Sequence, residues 1–173
     1  MKRNRSDKQD SALEATFVEL LSRHQGILSK VVRTYSYETE DRKDLEQDIC
    51  LQLWKAYPSY DPSRPFTTWM YRIALNVAIS NLRKAKGTDC QLLSLDDQVT
   101  VRSGHRTVAD DHRMILEQIL RGLGELDRAL MVLYLDDLSY REISEVLGIS
   151  ETNVATKINR LKQQIRSQVS DKD

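Results

Sequence analysis

The chain has 173 residues, 40% hydrophobic and 30% charged, with 26 basic and 26 acidic side chains that cancel. This length suits one or two small domains, each with its own core. No apolar run is long enough to cross a bilayer, and the basic opening MKRNRSDKQD lacks the apolar segment of a signal peptide, so a cytoplasmic protein without membrane insertion is expected.

Residues 1–11 read as a flexible tail. From about Ala12 to Tyr35, Leu13, Phe17, Leu20, Leu21, Leu28, Val31 and Val32 recur at helical spacing, with Gly26 placed to bend or split the helix. A second helix is predicted from about Asp41 to Tyr57, with Leu45, Ile49, Leu53 and Trp54 on one stripe. Asp44, Gln47 and Asp48 lie on its other side, an acidic, amide-bearing strip that fits either a solvated face or a protein partner. The turn-rich stretch PSYDPSRP, residues 58–65, stops this helix.

A third helix is predicted from about Phe66 to Lys84, with Phe66, Trp69, Met70, Ile73, Val77 and Ala78 facing inward. Arg72, Asn76 and Arg83 then share one stripe beside the apolar face. Tyr60, Phe66, Trp69 and Tyr71 bring rings close to basic residues, among them Arg64. Rings and arginines together suit opened or single-stranded DNA, while core packing is the competing explanation for Phe66 and Trp69. From Pro58 to Gly87 five basic residues face one acid, whereas Thr88 to Asp137 carries five basic and ten acidic residues. The zero net charge therefore conceals local fields compatible with a polyanion.

Periodicity fails from Gly87 to about Asp110, which reads as a flexible linker. Its acids, Asp96, Asp97, Asp110 and Asp111, serve solubility. The division is then a tail over 1–11, an N-terminal helical domain over 12–87, a linker over 88–110 and a C-terminal domain over 111–170. The last contains a helix on Met114, Ile115, Ile119, Leu120 and Leu123, and another on Leu126, Leu130, Leu133 and Tyr134. A third follows, started by the Ser139–Glu142 capping box and carrying Ile143, Val146 and Leu147. Gly148 is placed to close it in the left-handed conformation, and Ser150 to cap the next. Two helices meeting across about three residues form a helix-turn-helix.

In the last helix Val154, Ile158, Leu161 and Ile165 form the apolar stripe. Ser150, Thr152, Asn153, Thr156, Lys157, Arg160 and Lys162 lie at its start or on and beside its open face, and no acid occurs from Thr152 to Gln168. Such donors at a helix start suit a major-groove reader, although solvated basic faces look similar. The fold class expected is all-α, two small helical domains joined by a flexible linker.

An enzyme is not expected. His24, His105 and His112 have no metal-ligand spacing, no Gly-rich phosphate loop occurs, and no nucleophile stands beside a base. No metal or cofactor is expected either. Cys50 and Cys90 form no redox or metal motif and suit a reducing compartment, Cys50 as a small hydrophobe and Cys90 as a loop thiol.

The segments DLEQDICLQLWKAY, PFTTWMYRIALNVAISNLRK and LGELDRALMVLYLDDLSYREISEVLGISETNVATKINRLKQQI, in that order around a linker, resemble the extracytoplasmic-function (group IV) sigma factors of bacterial RNA polymerase. The resemblance spans about Phe17 to Arg166. It implies docking of Asp44, Gln47, Asp48 and Trp54 on the polymerase clamp, and recognition and opening of a minus-ten element by Trp69, Tyr71, Arg72 and Asn76. Loop residues 58–65 would then lie near a flipped base, so Tyr60 and Arg64, with Arg83 further along, join the minus-ten set. The resemblance also implies reading of a minus-thirty-five element by Thr152, Asn153, Thr156, Lys157, Arg160 and Lys162. Its partners would be core polymerase, promoter DNA and an anti-sigma factor. Where many relatives carry Gly-Thr-Val-Lys-Ser-Arg, this chain has Thr152-Asn153-Val154-Ala155-Thr156-Lys157, and a lysine lacks the bidentate fork of arginine. The rival reading is a stand-alone helix-turn-helix regulator that binds duplex operators, its N-terminal helices serving dimerisation.

Overall fold

The computed structural model describes residues 3–88, 116 and 118–170. Every regular element among them is helical: α1 (Arg3–Arg23), α2 (Gln25–Tyr35), α3 (Thr39–Ala56), a 3-10 turn (Tyr57–Ser59), α4 (Phe66–Thr88), α5 (Glu125–Leu135), α6 (Tyr140–Leu147) and α7 (Glu151–Ser170). The chain divides into two compact units, residues 1–78 with 145–147 and residues 79–144 with 148–173. Apart from Thr88, at the end of α4, the expected linker over 88–110 lies outside the described residues, as do Cys90 and the acids assigned to it. α1 begins at Arg3, inside the stretch expected to be a tail.

The first unit is built on three buried stripes. α2 contributes Ile27, Leu28, Val31, Val32 and Tyr35, α3 contributes Leu45, Ile49 and Leu53, and α4 contributes Phe66, Met70, Tyr71, Ala74, Leu75 and Ala78. Fully burying one such large aliphatic side chain stabilises by about 1.5–3 kcal/mol, and these stripes supply most of what orders the helices. The break after α1 falls at His24, with φ −112° and ψ 16°, and not at Gly26, which lies within α2. The His24 carbonyl accepts the Ile27 N–H at 2.9 Å, which starts the second helix.

The inward arc of α4 is also turned from its expected position. Tyr71, Ala74 and Leu75 are buried, while Trp69, Ile73 and Val77, expected inside, are half-buried. Apolar residues occur on three sides of this helix, so periodicity alone leaves its register open. The small Ala74 and Ala78 fit the close-packed side, and Trp69 is held outside it by Tyr57 and Tyr60.

In the second unit α5 is enclosed on all sides, with every residue from Arg128 to Leu133 buried. A helix that is apolar all round is a central one. This explains why its core extends beyond the stripe read from Leu130 and Leu133 and why Leu126, at 37% exposure, falls outside it. Arg128 is the buried charge. Its Nη2 donates to the carbonyls of Arg121, at 2.9 Å, and Leu123, at 3.2 Å, answering oxygens at the end of the preceding helical turn. That turn, residues 118–121, belongs with residue 116 to the described helical part of the helix expected on Met114 to Leu123. From α7, Val154, Ile158 and Leu161 are fully buried, and Ile143 of α6 is as well.

Three corners aim these helices. α5 ends with Asp137 at φ 58°, and the Leu138 N–H reaches the Leu133 carbonyl at 3.2 Å while that of Asp137 reaches Tyr134 at 3.2 Å. This is a Schellman end without glycine, and the sequence offers no strong signal for it because aspartate only tolerates the left-handed region. α6 starts on the expected capping box. The Ser139 N–H donates to Glu142 Oε2 at 2.8 Å, and the Glu142 N–H returns to Ser139 Oγ at 3.3 Å. Gly148 then takes φ 68° and closes the helix with its N–H on the Ser144 carbonyl at 2.9 Å. The Ser150 hydroxyl accepts the Asn153 N–H at 3.3 Å and caps α7.

Two stability measurements check these corners. Asp137→Gly is expected to raise stability by about 0.5–1 kcal/mol in chemical denaturation, because glycine enters the left-handed region without steric cost. Ser139→Ala is expected to lower it by about 1 kcal/mol at neutral pH. The Ser139 hydroxyl and N–H hold the Glu142 carboxyl below its ordinary value. A depressed folded-state value stabilises above the unfolded one and ceases to do so as pH falls through the folded one. The difference between wild type and Ser139→Ala should therefore shrink on acidification below the usual glutamate range.

Candidate polymerase and nucleic-acid surfaces

On α3, Asp44, Gln47 and Asp48 are exposed on the side opposite the buried Leu45, Ile49 and Leu53. The same strip continues one turn later through Leu51, at 47% exposure, an apolar residue not assigned to it from sequence. Trp54 borders the strip. Its ring lies 5.2 Å from that of Phe17 and the residue is 37% exposed, so one part is packed and another open. Carboxylates and an amide beside a leucine and a fixed indole combine polar and apolar contacts of the kind protein interfaces use. Cys50, on the same helix, is half-buried, and burial, then the neighbouring Glu46 carboxylate, pushes its thiol up, which disfavours the reactive thiolate.

The 3-10 turn and the loop to α4 carry a chain of rings. Tyr57 stacks on Tyr60 with centroids 6.1 Å apart, Tyr60 lies 5.1 Å from Trp69 and 5.5 Å, edge to face, from Phe66, and Phe66 is 5.2 Å from Trp69. The loop is internally braced. The Tyr60 hydroxyl donates to the Arg64 carbonyl at 2.8 Å, and Asp61 Oδ1 accepts the Ser63 N–H at 2.9 Å. The hydrogen bonds from Ser63 hold the Asp61 carboxyl below its ordinary value, with the Arg64 guanidinium adding to this. Arg64 itself is exposed, with its Nε 4.0 Å from Asp61 Oδ2.

Because Tyr71, Ala74, Leu75 and Ala78 set the inward arc, Trp69, Arg72, Asn76 and Arg83 share the opposite one at successive turns of α4. Arg72 and Asn76 are exposed, and Trp69 is half-buried against Tyr60. Arg83 is exposed but pairs through Nε with Glu125 Oε2 at 2.7 Å. Tyr71 is the correction to this set. It is fully buried, and burial raises its phenol far above the ordinary tyrosine range, so it belongs to the core and not to the open face. Its place among rings close to basic residues and the family resemblance put it with the surface residues, whereas a one-residue step from Arg72 on a helix turns the side chain by about 100°.

On α7 the predicted residues separate into an open face and two flanks. Thr152, Asn153, Thr156 and Arg160 are exposed. The Thr156 hydroxyl donates to the Thr152 carbonyl at 2.9 Å, which leaves its oxygen as an acceptor. Ser150 is committed to the cap. Lys157 and Lys162 are half-buried on opposite flanks, Lys157 at 3.7 Å from Asp127 Oδ1 and Lys162 with its ammonium 4.1 Å from the centre of the Tyr134 ring. Arg160 reaches the other Asp127 oxygen at 3.5 Å. Asp127 and Tyr134, both on α5, are the partners that sequence inspection missed, since contacts over this separation leave no local pattern. No group of His, Cys, Asp and Glu able to hold a metal occurs among the described residues, and none of their helices is long and apolar enough to cross a membrane.

Comparisons with known proteins show the family of the chain. Residues 20–88 match the sigma-70 region 2 family, and residues 113–165 match sigma-70 region 4. The chain is 30% identical over 145 residues to the ECF RNA polymerase sigma factor SigW of Bacillus subtilis, covering 76% of each protein. It is 27% identical over 167 residues to the RNA polymerase sigma factor CnrH of Cupriavidus metallidurans, covering 90% of this chain and 87% of that one. Among solved structures, CnrH in complex with the cytosolic domain of CnrY superposes with a TM-score of 0.69 at 24% identity, covering 92% of this chain and 91% of that one. The sigma factor RpoE from Bartonella quintana, in complex with the anti-sigma factor NepR, gives 0.70 at 17% identity, covering 90% and 97%. These two likenesses concern the fold. With regions 2 and 4 in order along the chain and a SigW relative at this identity and coverage, the protein belongs to the extracytoplasmic-function family of RNA polymerase sigma factors.

Proposed function

We propose that this sigma factor divides its work among the three surfaces described above. It is an alternative sigma factor for transcription initiation; the nucleotidyl chemistry belongs to the polymerase. Asp44, Gln47, Asp48 and Trp54, with Leu51 beside them, dock on core polymerase. Tyr60, Arg64, Trp69, Arg72 and Asn76 recognise and open the minus-ten element, with Arg83 contributing phosphate contacts once released from Glu125. Thr152, Asn153, Thr156 and Arg160 read the minus-thirty-five element, flanked by Lys157 and Lys162. The functional division is that of an N-terminal part over 12–87 and a C-terminal part over 111–170. The protein works in the cytoplasm, where polymerase and promoter are. An anti-sigma factor that covers these surfaces silences it, a reading supported by the RpoE complex with NepR.

The observation that carries the assignment is the outer arc of α4, where the Tyr60–Trp69 ring pair at 5.1 Å stands beside exposed Arg72 and Asn76. Extruding a base costs a few kcal/mol, and stacking on an aromatic returns about 1–3 kcal/mol per base. Arginine pairs with the displaced phosphates, and the asparagine amide offers a donor and an acceptor to a base edge. Apolar packing does not require either residue at these positions.

Run-off transcription from a promoter library with core polymerase, with and without the protein, tests the reading. Discrete start sites that depend on the protein are expected, with two shared upstream elements; their absence would refute it. At a promoter so identified, Trp69→Ala and Asn76→Ala are each expected to lower permanganate-detected strand opening about tenfold or more, while binding to core polymerase is unchanged. Asp48→Arg is expected to do the reverse, weakening binding to core polymerase by reversing a charge in the docking strip.

A further inference from the structure

Lys157 and Arg160, one turn apart on α7, converge on a single carboxylate. Asp127 receives Lys157 through Oδ1 at 3.7 Å and Arg160 through Oδ2 at 3.5 Å, with its own side chain 23% exposed. It stands in the first turn of α5, where the helix dipole favours a negative charge, immediately before the buried run Arg128 to Leu133. The carboxylate is thus fixed to the most enclosed helix of the unit, and the two cations are fixed through it.

We propose that Asp127 is a specificity-determining positioning residue that holds Lys157 and Arg160 against indiscriminate use. The inference rests on the reading of α7 as the duplex-reading helix. Affinity for any DNA grows with the number of cations free to neutralise phosphates, whereas discrimination needs side chains held at fixed positions. One carboxylate shared by two cations acts on both. It lowers the free charge of this flank from two to one, and it restricts where a flexible lysine and arginine reach. A phosphate must displace Asp127 from one of them, whereas a base edge on the open face meets an arginine already oriented.

The test uses holoenzyme assembled from core polymerase and the full chain. Binding is measured across a salt series to a promoter fragment recovered by run-off transcription and to a non-promoter duplex of equal length. Asp127→Asn is expected to tighten non-promoter binding about three- to tenfold and to steepen its salt dependence by about one. The promoter-to-non-promoter ratio should fall at least about fivefold, and Asp127→Glu, which keeps the charge, should restore it. An unchanged ratio and salt slope in Asp127→Asn would overturn the inference. So would equal weakening on both duplexes with a lowered melting temperature, which marks a purely structural role. A wild-type holoenzyme with no promoter preference would overturn the reading of α7, and this inference with it; wild-type preference with an unaffected variant overturns the inference alone.

Discussion

What α4 turns outward is dictated by what it buries. Met70, Tyr71, Ala74, Leu75 and Ala78 fill one arc of the helix and are excluded from water almost completely. A helix has only one complementary arc, so Trp69, Arg72 and Asn76 are committed to the outside as a group. The same constraint operates on α7, where Val154, Ile158 and Leu161 are buried and Thr152, Asn153, Thr156 and Arg160 are left open. The surfaces proposed for function occupy the arcs that packing does not use, and the packing makes those arcs rigid.

Rigidity matters because each proposed task asks a few side chains to act without reorganising. The Tyr60–Trp69 pair is braced by Phe66 and by a loop closed on its own hydrogen bonds, so a base would meet rings already in place. Binding to a preformed platform avoids the entropy of ordering it. On α5, the buried run Arg128 to Leu133 anchors the helix that carries Asp127 and Tyr134 at its two ends, and these in turn contact three cations on α7. The central helix of the second unit therefore shapes the surface proposed to read DNA without contributing a side chain to its open face.

Much of this was legible in the sequence, and the remainder follows a pattern. Cap residues and glycine announced the α6–α7 corner because Ser139, Glu142, Gly148 and Ser150 act through bonds to their own neighbours. The stripes of α3 and α7 were legible because each buries one face only. Tyr71 was misplaced because α4 is apolar on three sides, where period alone does not choose the buried one. The end of α5 was hidden because Asp137 adopts a conformation usually signalled by glycine. Asp127 was missed for another reason: its partners, Lys157 and Arg160, lie on another helix about thirty residues away, and no local spacing encodes such contacts.

The central claim is that the chain reads promoter DNA as a subunit of polymerase and not alone. It is tested most directly by anisotropy of a labelled promoter duplex titrated with the free protein and with the protein bound to core polymerase. The account predicts specific binding that competitor DNA cannot displace only when polymerase is present. Equally specific duplex binding by the free chain would contradict it and favour a stand-alone regulator.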